Sequence, residues 1–172
     1  MNILKELKKD FNKSTCNHIV AFIGNDQEKF STLVDAFLNS EYRITQRAAW
    51  PISHAVKQHP ELIKPHLEII IRNLKKPKIH DAVKRNTVRI LQFIEIPKKL
   101  HGITLDNCFR LLQDKKEPIA IKVFSMSVLA NLAMNYPELK RELIEIIEDQ
   151  MPYGSAGFIS RGKKVLKQLR TT

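Results

Sequence analysis

The sequence predicts an all-α protein built from repeated pairs of helices. The phrase "PELIKPHLEIIIRNL" at 60–74 returns 77 residues later as "PELKRELIEIIEDQM" at 137–151. The chain is rich in Leu, Ile, Lys, Glu and Ala, which favour helix, and holds only five glycines in 172 residues. Short turns marked by proline separate the repeated segments, as expected between helices.

A third copy, "KKLHGITLDNCFRLL" at 98–112, fits the same template between these two. The three copies align in four apolar columns, which are Leu62, Leu100 and Leu139; Leu67, Leu105 and Ile144; Ile70, Cys108 and Ile147; and Leu74, Leu112 and Met151. Apolar positions at this spacing lie on one face of a helix. Cys108 stands where the other copies have isoleucine, which predicts a small core side chain rather than a reactive thiol.

The segment before each copy repeats as well. Its columns are Ile52, Ile90 and Leu129, and then Ala55, Phe93 and Leu132. Each unit therefore reads as a helix A, a turn containing proline, and a helix B. Proline suits the first helical position because its φ is preset and the N–H it lacks would be unpaired there.

The sequence of helix A resembles that of a known family of helical repeats. The segments "DAVKRNTVRIL" (81–91) and "PIAIKVFSMSVLANLA" (118–133) resemble the Val-Arg-x-x-Ala-x-x-Ala-Leu signature of HEAT repeats, and "ITQRAAWPISHAV" (44–56) is a looser instance. Val83-Lys84 and Ile121-Lys122 stand at the apolar–basic pair. The resemblance implies a right-handed α–α superhelix, a short HEAT-like solenoid of about four helix pairs.

Stacked units share one core, so the chain is predicted to be a single domain over 1–172 whose ends are capped. The predicted parts are a degenerate N-terminal unit at 1–40, repeats at 41–77, 78–116 and 117–151, and a C-terminal capping helix in 152–172. Ile3, Leu4, Leu7 and Phe11 share one face of the predicted N-terminal cap.

Positive charge is concentrated in the middle of the chain. The net charge is +11, and residues 42–122 carry seventeen basic and seven acidic side chains, a net charge of +10. Residues 137–150 carry −3. Such a distribution attracts an acidic protein surface or a polyanion.

The residues predicted to bind lie on the polar side of the B helices. The resemblance implies that these helices line the concave surface, where proteins of this kind bind. The predicted binding residues are Arg72, Lys75, Lys76, Arg110, Lys115 and Lys116. A solvated, ion-paired surface is the alternative, because Glu68 precedes Arg72 by four residues and Asp106 precedes Arg110 by four. The third copy has Glu145 and Asp149 instead.

Trp50 is the seventh predicted binding residue. It precedes Pro51 inside helix A and is the only tryptophan. Two roles stay open for it: a platform on which a nucleic-acid base stacks, or a core side chain.

Two further basic groups have ordinary explanations. Helix A of the middle units carries a group that we attribute to solubility, which is Arg43, Arg47, Lys84, Arg85 and Arg89. The stretch "YGSAGFISRGKK" at 153–164 offers an anion its backbone amides with Arg161, Lys163 and Lys164, or is a flexible connection to the last helix.

No catalytic residue, metal site or cofactor is predicted, so the chain is not expected to be an enzyme. The six histidines show no metal-ligand spacing, the two cysteines form no disulfide framework, and no GxxxxGK[ST] occurs. The charged start "MNILKELKKDFNK" does not resemble a signal peptide, and no apolar run predicts a transmembrane helix. A cytoplasmic location is expected.

Two functions remain. The first is a non-enzymatic scaffold whose concave face holds a protein partner with an acidic surface. The second is a DNA- or RNA-binding protein related to the AlkD-type alkylpurine DNA glycosylases, which are also basic, HEAT-like and wrapped around duplex DNA. Those enzymes use an aspartate and paired tryptophans, whereas only Trp50 is present here, so glycosylase activity is not expected. Neither membrane binding nor a small-molecule substrate is predicted.

Overall fold

The chain is all-helical, as predicted. Its structure, a computed structural model, describes residues 1–171. Within that part there are ten α-helices and three short 3₁₀ helices, and no strand. The chain divides into two compact units, Met1–Asn86 and the remainder from Thr87 onward.

The first unit is organised around its fourth helix. Its elements are α1 (Ile3–Lys8), α2 (Lys13–Ile23), α3 (Gln27–Asn39), α4 (Tyr42–Gln58), a 3₁₀ helix (Pro60–His66) and α5 (Leu67–Asn73). Helix α4 packs against α1, α2 and α3, and most extensively against α3. Phe30, Phe37 and Ile52 are fully buried in this core.

Helix α6 (Asp81–Leu91) contributes residues to both units. The other elements of the second unit are a 3₁₀ helix (Lys98–Leu100), α7 (His101–Gln113), α8 (Ile119–Ala133), α9 (Pro137–Gln150), a 3₁₀ helix (Met151–Tyr153) and α10 (Ala156–Arg170). Helix α8 is the centre of this unit and packs against α7, α9 and α10. Nine of its fifteen residues are buried, which explains why its sequence is apolar nearly all round.

Polar side chains and one glycine set the helix ends. The carboxylate of Asp26 accepts hydrogen bonds from the backbone N–H groups of Glu28 and Lys29, and so caps the start of α3. Gly24 ends α2 with a φ of 50°, a conformation that side chains disfavour. This glycine therefore separates α2 from α3.

The repeated phrase folds differently in its two copies. Residues 137–150 form the continuous helix α9, but 60–66 form a 3₁₀ helix, and α-helix starts only at Leu67. Pro65 lies inside the 3₁₀ stretch, whereas the matching position of the later copy is Glu142. Proline has no N–H to donate to a carbonyl one turn back, so an α-helix through 60–66 would lose a hydrogen bond and meet a steric clash.

The predicted apolar columns are confirmed in part. Ile70, Cys108 and Ile147 are each at most 1% exposed. In the column of Leu67, Leu105 and Ile144 only Leu67 is buried, at 1% exposed. The other two side chains are half-buried, and the residues before them, Thr104 and Leu143, are buried instead. Thr104 tolerates burial because its hydroxyl donates to the carbonyl of Leu100 at 2.7 Å.

Phe93 and Leu4 were also predicted to face the core, and both predictions are wrong. Phe93 is 73% exposed and Leu4 is 41% exposed. Helix α6 ends at Leu91, so Phe93 lies beyond the helix and no longer keeps its register. Helix α1 is a six-residue helix that buries only Ile3 and Leu7.

The tightest helix pairs are joined by short loops. In the second unit the most extensive packing is between α7 and α8, which are joined by residues 114–118. The predicted division between 116 and 117 falls inside this loop. The repeat boundaries stay a prediction.

His66 makes the first unit sensitive to acid. Burial lowers the pKa of His66 from its ordinary value of 6.5. The side-chain amide of Gln27 donates to the ring Nε2 of His66 at 3.0 Å, which also favours the neutral ring. The Phe30 ring lies against the imidazole, with the two ring centroids 5.7 Å apart.

We expect the free energy of unfolding to fall as the pH drops from about 7 toward the folded-state pKa of His66. In that window the unfolded chain takes up a proton that the folded chain refuses, so the unfolded state gains stability. The His66→Gln variant lacks this term, and its stability should change less with pH in the same window. Denaturant titrations of both proteins at several pH values test this, and parallel pH profiles would contradict it.

Candidate functional site

The first three predicted binding residues lie together at the end of one helix. Arg72 is in the last turn of α5, and Lys75 and Lys76 follow directly after the helix. All three side chains are exposed. We call Arg72, Lys75 and Lys76 the first basic triad. The Nε of Arg72 is 2.9 Å from a carboxylate oxygen of Glu68, which confirms the ion pair predicted from their spacing.

The second set takes the equivalent position in the second unit. Arg110 is in the last turn of α7, and Lys115 and Lys116 lie in the loop after it; all three are exposed. We call these residues the second basic triad. The guanidinium of Arg110 donates to the side-chain oxygen of Asn107 at 3.4 Å. The N–H of Lys116 donates to the carboxylate of Asp114 at 2.8 Å, which fixes the loop.

The surroundings of the two triads differ in charge. Residues 68–78 contain four basic side chains and one acidic, a net charge of +3, and the partial negative charge of a helix C-terminus also favours cations there. Residues 106–117 contain three basic and three acidic side chains, a net charge of zero. The first triad is thus the more strongly positive of the two.

Trp50 is half-buried within the first unit. Its indole N–H donates to Nε2 of His54 at 2.8 Å. Its ring meets the Phe11 ring edge-on, with the centroids 6.0 Å apart. Both contacts hold the indole against its own unit; its use as a stacking platform stays a prediction.

Arg47 has a structural role that its residue type alone does not indicate. The guanidinium of Arg47 donates to the carbonyl oxygens of Leu7 and Lys9, at 2.8 Å each. It also lies over the Phe11 ring, 5.9 Å from the centroid. Arg47 therefore fastens the end of α1 to α4, so attributing it to solubility is wrong.

Sequence reasoning missed a cavity in the second unit. The cavity has a volume of about 670 Å³ and is lined by side chains of the α7–α8 loop, α8, α9 and the segment leading into α10. Its apolar wall is formed by Ile119, Ile146 and Phe158. Its charged lining residues are Lys115, Glu117, Lys122 and Asp149.

Lys122 is the unusual member of this lining. It is 8% exposed, although lysine is rarely buried without a partner. Within the described chain its ammonium has neither a hydrogen-bond nor an ion-pair partner. The sequence signal for this burial was a lysine inside the apolar run "IAIKVFSMSV". Because Lys122 matched the apolar–basic pair of the HEAT signature, we attributed the lysine to that signature.

The glycine-containing stretch at 153–164 is ordered rather than a flexible connection. Ser155 caps α10 by accepting from the N–H of Phe158 at 3.3 Å. The guanidinium of Arg161 donates to Ser127 and to Gln92, so it is used within the unit. Gly162 packs against α9, where an added Cβ would approach Ile147 Cγ2 to 3.2 Å.

Both cysteines are buried and free. Burial raises the pKa of the Cys16 thiol to about 11 and that of Cys108 to about 12. Both thiols are therefore protonated near neutral pH, which makes them poor nucleophiles. The predicted role of Cys108 as a core side chain is confirmed.

Comparison with known proteins identifies the repeat. The family model for the HEAT repeat domain matches residues 3–169, almost the whole chain. Neither the curated proteins nor the solved structures gave a match. In residues 1–171 there is no cluster of three His, Cys, Asp or Glu side chains suited to a metal ion. No described helix combines the length and apolarity needed to cross a membrane.

Proposed function

The chain belongs to the HEAT repeat family, and from this we propose that it is a non-enzymatic binding module that holds a protein partner with an acidic surface. Repeats of helix pairs provide extended surfaces for binding. The observation that carries the proposal is the first basic triad, whose three exposed cations lie together in a segment with a net charge of +3.

Exposure and local charge support the first triad as the main contact. The Glu68 carboxylate pairs with Arg72, and an exposed pair of this kind contributes only about 0–1 kcal/mol, so the arginine is easily released to a partner. Lys76 lines a small concavity of about 200 Å³ together with Tyr42 and His80. The second triad has a neutral environment and is proposed as a weaker contributor.

Binding to nucleic acid is the alternative. The same cations would contact phosphates, and the half-buried Trp50 ring would stack on a base. The chain has a single tryptophan, Trp50, whereas the glycosylases use a pair. For this reason the acidic protein surface remains the favoured partner.

The test is a triple variant of the first triad, Arg72→Gln with Lys75→Gln and Lys76→Gln. We expect it to bind a glutamate-rich peptide about tenfold more weakly than the unmodified chain, because the cations nearest to the bound carboxylates are lost. The matched control is Lys8→Gln with Lys13→Gln and Lys57→Gln. It removes the same charge from exposed positions of the same unit. Affinities are measured by fluorescence anisotropy at one fixed salt concentration.

Three results bear against the proposal. Equal weakening by the control would mean that net charge, not the triad, attracts the peptide. Unchanged binding by the triad variant would remove the assignment. Tighter binding to duplex DNA than to the peptide, with a slope of log K against log salt of about −0.9 for each phosphate contacted, would favour the nucleic-acid alternative.

A further inference from the structure

We propose that the cavity beside α8 binds a carboxylate carried by an apolar group. The carboxylate would pair with the ammonium of Lys122, and the apolar group would lie against Ile119, Ile146 and Phe158. This site is separate from the first basic triad and does not depend on the function proposed for it.

The first step of the argument is the state of Lys122. A side chain that is 8% exposed has lost most of its hydration, and no described residue supplies an opposite charge or an acceptor to its ammonium. Burying a cation without a partner is costly. The ammonium is not among the fully enclosed polar atoms that lack partners, so it retains access to solvent, and Lys122 is one of the residues that line the cavity.

The second step is the size of the cavity and the shape of its wall. A volume of about 670 Å³ lies within the range of cavities that hold small organic ligands. Phe158 forms a buried part of the wall and is 2% exposed, whereas Ile119 is 42% exposed and Tyr153 is 92% exposed. Gly154 approaches the Phe158 ring so closely that an added Cβ would lie 2.9 Å from its Cδ1. The wall therefore presents preformed apolar surface.

The third step is the charge of the ligand that the cavity can bind. Lys115 and Lys122 are balanced by Glu117 and Asp149, so the lining has no net formal charge. A dianion such as a phosphate ester would be repelled by the two carboxylates. A monoanion at Lys122 supplies the ion-pair partner that the ammonium lacks. It also places little excess negative charge near Glu117 and Asp149. A carboxylate with an apolar body satisfies both the charge and the wall.

The ligand test uses matched pairs that differ only in charge. Phenylacetate and hexanoate are compared with phenylacetamide and hexanamide, and phenyl phosphate is included as a dianion. Binding is followed by chemical-shift changes of the backbone amides of the full chain. We expect both acids to bind at millimolar concentration or below, and the amides and the phosphate to bind at least about tenfold more weakly. Equal binding of acids and amides would overturn the proposal.

Variants of the chain locate the site. Lys122→Met keeps a long flexible side chain but removes the ammonium, and we expect it to weaken phenylacetate binding at least about tenfold. The control is Lys99→Met, an exposed lysine of the same unit that does not line the cavity, for which the affinity should change less than about twofold. Unchanged binding by Lys122→Met would overturn the proposal.

A stability measurement separates loss of the site from loss of the fold. Because Lys122→Met removes a buried cation that has no partner, its Tm should rise by about 2–4 °C. Ile146→Trp places a larger side chain in the lining of the cavity and should abolish binding with Lys122 still present. If this variant bound phenylacetate normally, the proposal would be wrong. Binding of the glutamate-rich peptide through the first triad should be unaffected by either variant.

The source of the carboxylate is distinguished by a second pair of probes. A short apolar peptide ending in a free carboxylate is compared with the same peptide ending in an amide. Tighter binding of the free peptide than of phenylacetate indicates the C-terminus of a protein as the natural ligand. Tighter binding of the small acid indicates a metabolite. Both outcomes support the proposed chemistry, whereas binding of neither acid contradicts it.

Discussion

Replacing Phe37 with alanine should lower the free energy of unfolding by about 3–5 kcal/mol. Phe37 is fully buried in α3, the helix that packs most extensively against α4. The loss combines the lost transfer of the ring from water with the cavity that remains, since closely packed neighbours relax only in part. Domains typically unfold at a cost of about 5–15 kcal/mol, so this one change removes a large part of the total.

The matched control is Phe93→Ala, the same chemical change at a side chain that is 73% exposed. Its effect should stay within about 0.5 kcal/mol. Urea denaturation followed by far-UV circular dichroism measures both variants. A similar loss for the two would mean that Phe93 packs in the folded protein and that its exposure here is wrong.

Replacing Arg47 with alanine should destabilise the chain by about 2–3 kcal/mol. Its guanidinium makes two charge-assisted hydrogen bonds to the carbonyls of Leu7 and Lys9, and bonds to charged groups contribute about 1.5–3 kcal/mol each without adding fully. Carbonyls at a helix C-terminus have no partner within the helix, so α1 depends on this contact. The six-residue α1 is too short to persist alone.

Hydrogen exchange gives the sharpest readout for Arg47. In Arg47→Ala the amides of α1 should exchange faster, while those of α8 keep their protection. Arg43→Ala is the control on the same helix, since Arg43 is exposed and its removal should change stability by no more than about 0.5 kcal/mol. If the two arginine variants behaved alike, the fastening role of Arg47 would be refuted.

The helices and the central core column were predictable because both follow from local periodicity. Ile70, Cys108 and Ile147 are all buried, as their spacing predicted. The errors arise where a helix ends or turns. Phe93 lies two residues past the end of α6, and at one position each in α7 and α9 the residue before the aligned one, Thr104 or Leu143, is buried instead. A repeat alignment assumes a constant register and cannot detect either effect.

The candidate sites likewise include features that the sequence predicts and features that it does not. The exposure of the two basic triads was predictable, because the sequence pattern assigns their residues to the polar side of the B helices. The cavity that Lys122 lines, by contrast, also requires Phe158 of α10, a helix that packs against α8 from far along the chain. Arg47 likewise acts through carbonyls about forty residues earlier in the sequence. Such long-range contacts leave no periodic trace, so residue type and spacing could not predict them.

The proline at position 65 gives the two copies of the repeated phrase different lengths in space. Seven residues of 3₁₀ helix, 60–66, rise by about 14 Å, whereas seven residues of α-helix rise by about 10.5 Å. The two segments, which are identical at six of fifteen aligned positions, are therefore not interchangeable parts. Grafting 137–143 onto 60–66 would shorten that segment by about 3–4 Å and pull the following loop out of place. The two copies of the repeated stretch thus form segments of different length, and each segment fits its own position in the chain.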